Sequence, residues 1–202
     1  MRVAVLASGV GSNLQALLDT VHGRDGIEIA AVASDKPAAM ALQRARDAGV
    51  EANAFPVDAY DDRVTRDQAM GDWLVARDVD LVVLAGYMQL LSRAFLGRFE
   101  GRVINVHPAL LPAFPGLHAV EQALEYGVKV FGVTVHFVDD GVDTGPVILQ
   151  RAVELPDARG ADDVLERLHP IEHELLPEAV RLIARGAVAI DPRAPRRVRI
   201  ER

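Results

Sequence analysis

The sequence has 202 residues, half of them apolar and a quarter charged, so it is long enough for one large domain with a substantial core. Its formal net charge of −7 argues against a nucleic-acid backbone as the main partner. Because the chain contains no cysteine, it has no disulfide, no thiolate metal site and no cysteine nucleophile.

The N-terminal apolar run is interrupted at Ser8 and Gly9, too early for a signal peptide. No apolar run approaches the roughly 20 residues that a membrane-spanning helix needs. We therefore expect a cytoplasmic protein that binds neither membranes nor nucleic acids.

The first half alternates strand-like and helix-like runs. Strands are predicted at 2–7, 27–33, 51–55, 80–85 and 103–107, and helices at 14–18, 38–48 and 58–77, with a further short helix before residue 103. Ser12 or Asn13 is a plausible N-cap of the first helix. This alternation is typical of an α/β fold with a Rossmann-like, doubly wound, mostly parallel sheet.

The second half differs in pattern. A helix is predicted at 117–126, two strands at 128–138 and 147–155, and one long helix at 161–185 that Pro170 and Pro177 should bend or interrupt. The Gly-rich loop between the two strands favours an antiparallel pair, which makes the sheet mixed.

We expect the whole chain, 1–202, to form a single domain without internal repeats. Its predicted parts are a phosphate-binding half (1–107), a half with a loop and a long helix (108–190), and an arginine-rich tail (191–202). The tail's arginines lie between prolines, which favours a solvated or edge-strand segment over a binding patch.

The loop from Gly9 to Asn13 resembles a phosphate cradle. Glycines let the backbone approach an anion, and the amino end of the following helix adds partial positive charge. Leu14 stands where a dinucleotide fingerprint would have its third glycine, and no Gly-Lys-Ser/Thr follows, so the loop fits a monophosphate better than a dinucleotide or a triphosphate. A merely tight turn between strand and helix is the alternative.

The strand at 103–107 ends in Asn105-Val106-His107-Pro108. Side chains alternate along a strand, so Asn105 and His107 should project to the same side, at the carboxyl end where open α/β sheets bind ligands. Asp143 lies in a Gly-rich loop, a costly place for a charge without a cation. If it reached His107 it would favour the imidazolium, and the three side chains would suit a developing oxyanion and a proton in transfer. A structural histidine and a turn aspartate are the alternatives.

The other histidines carry less information. His169 and His173 are four residues apart on the last helix, but Pro170 intervenes and no glutamate lies in the place that a metallohydrolase needs, so we expect no metal site. The sequence favours a structural role for His136, within a strand, over a catalytic one.

Several motifs together resemble the phosphoribosylglycinamide formyltransferases, within the superfamily of enzymes that use 10-formyltetrahydrofolate. They are Ser-Gly-x-Gly-Ser-Asn at 8–13, Leu-Ala-Gly-Tyr-Met at 84–88, Asn-Val-His-Pro-Ala-Leu-Leu-Pro at 105–112, Phe-Pro-Gly-Leu-His at 114–118, Val-His-Phe-Val at 135–138 and Asp-Thr-Gly-Pro-Val-Ile-Leu-Gln at 143–150. The resemblance runs in order from Arg2 to about Gly186.

The resemblance implies formyl transfer from 10-formyltetrahydrofolate, as co-substrate, to glycinamide ribonucleotide by a monomer or homodimer. The implied catalytic residues are Asn105, His107 and Asp143. The implied ribonucleotide ligands are Gly11, Ser12, Asn13, His169, Pro170, Ile171 and Glu172. The implied folate contacts are Arg63, Met88, Gln89, Leu90, Leu91, Asn105, Asp139, Asp140, Gly141, Val142 and Asp143.

Three residues depart from the family pattern. Val10 stands where asparagine is common, Gln89 where arginine is common, and Ala109 where serine is usual. The alternatives are another formyltransferase or a hydrolase that uses the same folate, and an oxidoreductase that uses the Gly9–Gly11 loop with Asp35 as a ribose ligand.

Overall fold

The computed structural model describes residues 1–201. Contacts between residues divide the chain into two compact units, one from Met1 to Ile104 and one that begins at Asn105. Arg202, the last of the tail arginines, lies outside the described residues. In residues 1–201 no helix combines the length and the apolar character needed to cross a membrane.

The first unit alternates strands and helices. Its elements are β1 (Arg2–Leu6), α1 (Ser12–Thr20), β2 (Glu28–Ser34), α2 (Met40–Asp47), β3 (Glu51–Ala54), α3 (Arg63–Val75), β4 (Leu81–Leu84) and α4 (Arg93–Arg98). β3, β2, β1 and β4 lie side by side in that order, and each pair runs parallel. Val3 to Leu6 of β1 are completely buried, because a central parallel strand is covered on both faces.

One helix of the first unit begins later than predicted. The expected helix at 58–77 is a short 3-10 turn, Val57–Ala59, followed by α3. The reason is a cap: the carboxylate of Asp62 accepts a hydrogen bond from the backbone N–H of Thr65 at 2.7 Å, which fixes the helix start at Arg63.

The second unit contains the antiparallel part of the fold. β5 (Val103–His107) runs across the division and is followed by α5 (Ala119–Tyr126), β6 (Val130–Phe137), β7 (Val147–Glu154), α6 (Ala161–Ala184), β8 (Val188–Ile190) and β9 (Val198–Ile200). β6 and β7 pair antiparallel. The seven-stranded order is β3-β2-β1-β4-β5-β6-β7. The predicted α/β fold, mostly parallel with an antiparallel pair in the C-terminal half, is confirmed.

α6 continues through both of its prolines. Of the expected bend or interruption at Pro170 and Pro177, the interruption is wrong, since the helix runs from Ala161 to Ala184, and the bend stays a prediction. Each proline removes one ladder hydrogen bond, but the helix buries an apolar face that includes Leu168, Leu176 and Val180, all completely inaccessible. Packing of that face outweighs the local cost.

Part of the arginine-rich tail forms a strand. Val198–Ile200 forms β9, which pairs antiparallel with β8 in a separate two-stranded sheet and does not extend the main sheet. Asp191 closes the turn between them: its carboxylate accepts hydrogen bonds from the N–H of Arg193 at 2.9 Å and from the guanidinium of Arg199 at 2.6 Å.

Candidate active site

Gly11 sets the shape of the loop between β1 and α1. It caps α1 with φ at 76°, in the left-handed region, and a Cβ there would lie 2.8 Å from the Cβ of Ala41. Glycine fits because both the conformation and the close approach exclude a side chain. No side chain caps α1, so the prediction that Ser12 or Asn13 is the N-cap is wrong.

The amino end of α1 suits an anion. The first backbone N–H groups of a helix have no partner within it, and the helix dipole places partial positive charge there. The first turn of α1, beginning at Ser12, contains no acidic residue. The assignment of Gly11, Ser12 and Asn13 to a phosphate stays a prediction.

Arg44 adds a full positive charge beside this loop. Its Nε donates to the carbonyl oxygen of Val10 at 2.8 Å, and its Nη1 donates to the side-chain oxygen of Gln15 at 2.8 Å. The sequence reasoning missed Arg44, because it lies 34 residues from Val10 on α2 and only the parallel packing of successive units brings it there. Its position makes the loop a better anion site than backbone alone.

Asn105 and His107 end β5 and both contact Asp143, as the alternation of side chains along a strand predicts. Nδ2 of Asn105 donates to Oδ1 of Asp143 at 3.2 Å. Nδ1 of His107 lies 3.4 Å from Oδ2 of the same carboxylate. His107 is 5% exposed, so water screens this contact little.

Asp143 is held by its backbone and by a neighbouring loop. It adopts φ of 52°, in the left-handed region, which aspartate tolerates better than most side chains. The backbone N–H of Gly116 donates to its Oδ2 at 2.7 Å. The carboxylate therefore joins three segments of the second unit: β5, the loop after it, and the loop between β6 and β7.

The surroundings keep Asp143 ionised. Burial raises its pKa, but the hydrogen bond to His136, the N–H of Gly116 and the charges of His107 and His136 outweigh burial and lower the pKa from 3.8 to about 2. At neutral pH the group is a carboxylate that can only accept hydrogen bonds.

His136 completes what we call the polar cluster: Asn105, His107, His136 and Asp143. Its Nδ1 faces the carbonyl oxygen of Phe137 at 2.7 Å, so that nitrogen carries a proton. Its Nε2 lies 3.2 Å from Nδ2 of Asn105 and 3.4 Å from Oδ1 of Asp143. The ring is satisfied, as the sequence suggested, and it is also a member of the site, which the sequence reasoning missed.

A signal for His136 was present in the strand. Thr134 and His136 are the polar residues of an otherwise apolar β6 and lie two positions apart, so they share a face. Thr134 supports the loop after β5: its Oγ1 donates to the carbonyl oxygen of Ala109 at 2.7 Å and accepts from the N–H of Leu111 at 3.2 Å.

Both ring nitrogens of His107 face acceptors. Nε2 lies 2.8 Å from the carbonyl oxygen of Phe114, and Nδ1 faces Asp143. Whichever ring nitrogen carries a proton, an acceptor faces it, so the ring is held in one orientation beside the carboxylate.

The folate segment predicted at 88–91 lies in an irregular stretch of the first unit, between β4 and α4. Met88 and Leu90 are 53% and 59% exposed. Arg63, the first residue of α3, is exposed. These side chains are accessible to a ligand, and their contacts with folate stay a prediction.

The second predicted folate segment, 139–143, is a loop of the second unit with internal hydrogen bonds. Asp139 accepts hydrogen bonds from the Oγ1 of Thr144 at 2.6 Å and from the N–H of Gly141 at 3.1 Å. Val142 is 46% exposed, and Asp140 is exposed as well. The loop therefore exposes one large apolar and two acidic side chains, Val142, Asp139 and Asp140, and keeps Asp143 inside.

The predicted substrate stretch 169–172 lies on α6. Glu172 is buried, at 6% exposed, whereas His169 and Pro170 are exposed and Ile171 is half-buried. The ring of His169 stacks on that of His173, with centroids 6.2 Å apart. Burial lowers the pKa of His173, and the neighbouring His169 lowers it further. Of the four predicted residues, Glu172 alone is a buried charged group.

Comparison with known proteins decides the family. The family described as formyl transferase matches residues 1–180. This chain belongs to the formyl transferase family. The resemblance read from the motifs is confirmed, and the oxidoreductase alternative loses its support.

Two kinds of relative in this family are similar to the chain. It is 40% identical to a phosphoribosylglycinamide formyltransferase of Escherichia coli, over 96% of this chain and 92% of that protein. It is 44% identical to the trifunctional purine biosynthetic protein adenosine-3 of Drosophila melanogaster over 95% of this chain, but it spans only 14% of that longer protein.

A solved structure agrees with the fold. The glycinamide ribonucleotide transformylase 1 of Symbiobacterium toebii superposes with a TM-score of 0.95 at 49% identity, covering 100% of this chain and 94% of that one. The formyl transferase fold therefore extends over the full length of the sequence.

Proposed function

We propose that this protein transfers the formyl group of 10-formyltetrahydrofolate to the primary amine of glycinamide ribonucleotide, in purine synthesis. The observation that carries the proposal is the contact of Asp143 with both Asn105 and His107. Formyl transfer needs donors for an oxyanion and a group that handles protons, and these side chains supply both. We also propose that it acts in the cytoplasm, as a monomer or homodimer.

The ribonucleotide is proposed to bind through its phosphate and its glycinamide. In the first unit, the N–H groups around Gly11, Ser12 and Asn13 would hold the phosphate, with Arg44 adding charge. In the second unit, the stretch 169–172 would contact the same substrate, with Glu172 as its main ligand. The resemblance to the family supports the second assignment, and helix geometry supports the first.

The folate is proposed to lie against two segments. In the stretch from Met88 to Leu91, Met88 and Leu90 offer exposed apolar surface in the first unit, and the 139–143 loop does so in the second through Val142. Arg63, an exposed cation, would lie near the glutamate tail of the folate. These assignments come from the motifs, and exposed apolar side chains support them.

In the proposed reaction, the amine nitrogen forms a bond to the formyl carbon, and the bond from that carbon to N10 of the folate breaks. The amine loses one proton and N10 gains one, so the transfer needs no oxidant or reductant. Asn105 and the protonated His107 would donate to the oxyanion of the tetrahedral intermediate. The proton would reach N10 through His107 or a water held by Asp143.

Substrate must displace contacts that the polar cluster now makes. The Asn105 amide donates to Asp143 and its nitrogen lies 3.2 Å from Nε2 of His136, and the Nε2 of His107 donates to the carbonyl of Phe114. A formyl oxygen can take the place of the Phe114 carbonyl only if the loop after β5 moves. We therefore expect the 112–116 segment to shift when folate binds.

A spectrophotometric assay tests the function. The protein is mixed with glycinamide ribonucleotide and a 10-formylfolate analogue, and the deformylated folate is followed by its absorbance. Product that requires both substrates supports the transferase. Product from the folate alone would indicate a hydrolase, and no product with either or both would contradict formyl transfer.

A further inference from the structure

An irregular segment, Met88–Leu91, connects β4 to α4 in the first unit. It belongs to no helix or strand, so no ladder of backbone hydrogen bonds fixes its shape. Met88 and Leu90 nevertheless expose more than half of their surface to solvent. If the segment were flexible, it would lose conformational entropy when a ligand bound to these side chains, and the ligand would bind more weakly. A segment that is fixed before binding avoids this loss.

Three buried side chains fix this segment. The N–H of Met88 donates to the Oγ of Ser8 at 2.8 Å, the side-chain amide of Gln89 donates to Oδ2 of Asp35 at 3.0 Å, and the N–H of Ser92 donates to Oδ2 of Asp67 at 2.5 Å. Ser8 follows β1, Asp35 follows β2 and Asp67 lies on α3. The segment is therefore tied at its start, middle and end to three different elements.

Asp35 differs from the other two acceptors. Ser8 is uncharged, and Asp67 forms an ion pair with Arg66 at 2.8 Å. Asp35 is only 5% exposed, and within residues 1–201 no arginine, lysine or histidine pairs with it. Its Oδ1 is buried without a hydrogen-bond partner in the same residues, so the Gln89 amide, which donates to Oδ2, is the one donor to this side chain there.

A buried carboxylate without a cation is costly, and an uncharged residue would hold β2 and its neighbours at lower cost. The side chain of Asp35 accepts a hydrogen bond from the amide of Gln89, in the middle of the exposed apolar segment. Hydrogen bonds to a charged acceptor are stronger than neutral ones. The geometry is that of a buried anchor holding a surface segment in one shape.

We infer that Asp35 is a positioning residue for the folate co-substrate: its carboxylate holds the Gln89 amide and so fixes the Met88–Leu91 segment in the shape that folate meets. This inference rests on the proposed function, since it takes that segment as the folate contact. Asp35 itself is buried and does not touch the ligand.

Steady-state kinetics of Asp35→Ala test the inference. Loss of a hydrogen bond to a charged group should raise the KM for 10-formyltetrahydrofolate by about tenfold. The kcat and the KM for glycinamide ribonucleotide should change by less than about twofold, because chemistry and phosphate binding are untouched. Asp35→Asn keeps an oxygen that accepts from Gln89 and should restore most of the folate affinity.

The partner residue gives an independent arm. Gln89→Ala should raise the folate KM at least as much as Asp35→Ala, since Gln89 is itself a proposed folate contact. The double variant should be no worse than Gln89→Ala alone, because Asp35 acts only through Gln89. Gln43→Ala is the matched control: its amide donates to Asp47 at 2.7 Å on α2, so a glutamine–aspartate pair of the same kind is lost elsewhere, with no change in KM.

The outcomes separate this inference from the proposed function. A wild-type protein without formyl transfer overturns both. A wild-type protein with transfer, and a folded Asp35→Ala that keeps its folate KM or raises both KM values equally, overturns the inference alone. If Asp35→Ala does not fold, Asp35→Val, which fills the buried space without accepting from Gln89, decides by the same two KM values.

Discussion

At the scale of single residues, the polar cluster is a set of groups that satisfy one another. Asp143 accepts from Asn105 and Gly116 and faces both histidines. Such a network holds its side chains in place before substrate arrives, so the rearrangement expected on folate binding falls on the 112–116 segment. Removal of any member also leaves buried polar groups unsatisfied, so activity and stability both respond.

The first prediction concerns the two oxyanion donors. Asn105→Ala and His107→Ala should each lower kcat by about 10²–10³, because each removes one donor to the intermediate. Turnover under saturation with both substrates is the measurement. His22→Ala, a histidine of the first unit, should leave turnover unchanged. Near-normal turnover in both site variants, with intact folding, would contradict the assignment.

The second prediction concerns pH. The folded pKa of Asp143 is about 2 and its ordinary value is 3.8, so the unfolded chain binds the proton more readily. The resulting stability, about 1–2 kcal/mol, is present above pH 4 to 5 and is lost as pH falls toward 2.

Urea unfolding of the wild type and of Asp143→Asn between pH 2 and pH 7 measures this contribution. The difference in free energy of unfolding between the two proteins should stay constant at higher pH and change progressively below about pH 4. A pH-independent difference would mean that the carboxylate gains nothing from its partners.

At the scale of elements, functional groups lie where elements end. Gly11 begins α1, His107 ends β5, and the anchors Ser8 and Asp35 follow β1 and β2. Ladder hydrogen bonds stop at these positions, so side chains and helix termini supply the remaining contacts. Residues at the ends of strands and helices are therefore held in place by the element, and their hydrogen-bonding groups are available to partners outside it.

The third prediction concerns the loop before α1. Gly11→Ala should lower the free energy of unfolding by about 1–3 kcal/mol, because alanine is strained at this φ and its Cβ would collide with Ala41. Gly9→Ala is the matched control: a Cβ added at Gly9 would meet no atom within 4 Å, and its φ is not positive. Thermal or urea unfolding compares the two. Equal stability of both variants would show that the loop relaxes.

The fourth prediction gives a role to the tail. The guanidinium of Arg196 donates to the carbonyl oxygen of Thr144 at 2.9 Å, next to Asp143. Arg196→Ala should loosen the 139–145 loop by about 0.5–1.5 kcal/mol, the net value of one hydrogen bond. Hydrogen exchange of the loop amides should become several-fold faster. The control is Arg193→Ala, which should leave exchange unchanged, because the Arg193 side chain makes no hydrogen bond within residues 1–201. Equal exchange rates in the two variants would contradict a role for Arg196 in holding the loop.

Most of the element order could be predicted from the sequence. Apart from the helix predicted at 58–77, the predicted strands and the later helices lie within about two residues of their observed bounds, because periodicity and glycine or proline punctuation determine them. The caps were less predictable. Asp62 was hidden among other acids, and Gly11 caps α1 by conformation, with no side-chain hydrogen bond. Continuity of α6 depends on packing that no local pattern shows.

At the scale of the whole molecule, a protein of net charge −7 is proposed to bind two anionic substrates. Attraction must then be local, from helix α1 and side chains such as Arg44 and Arg63. Long-range steering by net charge would oppose binding and not assist it. The substrates should therefore bind with affinities that depend on these few groups.

The fifth prediction follows from linkage. Glycinamide ribonucleotide at 100 times its Kd should stabilise the protein by about 2.7 kcal/mol and raise the melting temperature by roughly 5–10 °C, without folate. Differential scanning fluorimetry is the measurement. Glycinamide without ribose phosphate should give a much smaller shift, since it lacks the phosphate. Equal shifts would contradict the assignment of the α1 loop.

The candidate site was predictable where one motif carried two groups. Asn105 and His107 follow from strand alternation, and Asp143 from the cost of a charge in a glycine-rich loop. His136, Arg44 and Asp35 were not assigned these roles, because their partners lie 31 to 54 residues away in sequence. Spacing within a motif carries no information about such contacts, which only the fold creates.

The left-handed backbone of Asp143 bears on how its position would respond to a saturation library. Asparagine and glycine tolerate that conformation, whereas alanine and β-branched residues do not. Sorting variants for soluble expression should therefore enrich aspartate, asparagine and glycine, and sorting for purine-independent growth should keep aspartate alone. Residues that pass the expression sort but fail the growth sort are those that fit the backbone and lack the carboxylate. The two sorts therefore separate the chemical role of the carboxylate from the conformational requirement at this position. An alanine substitution removes both at once.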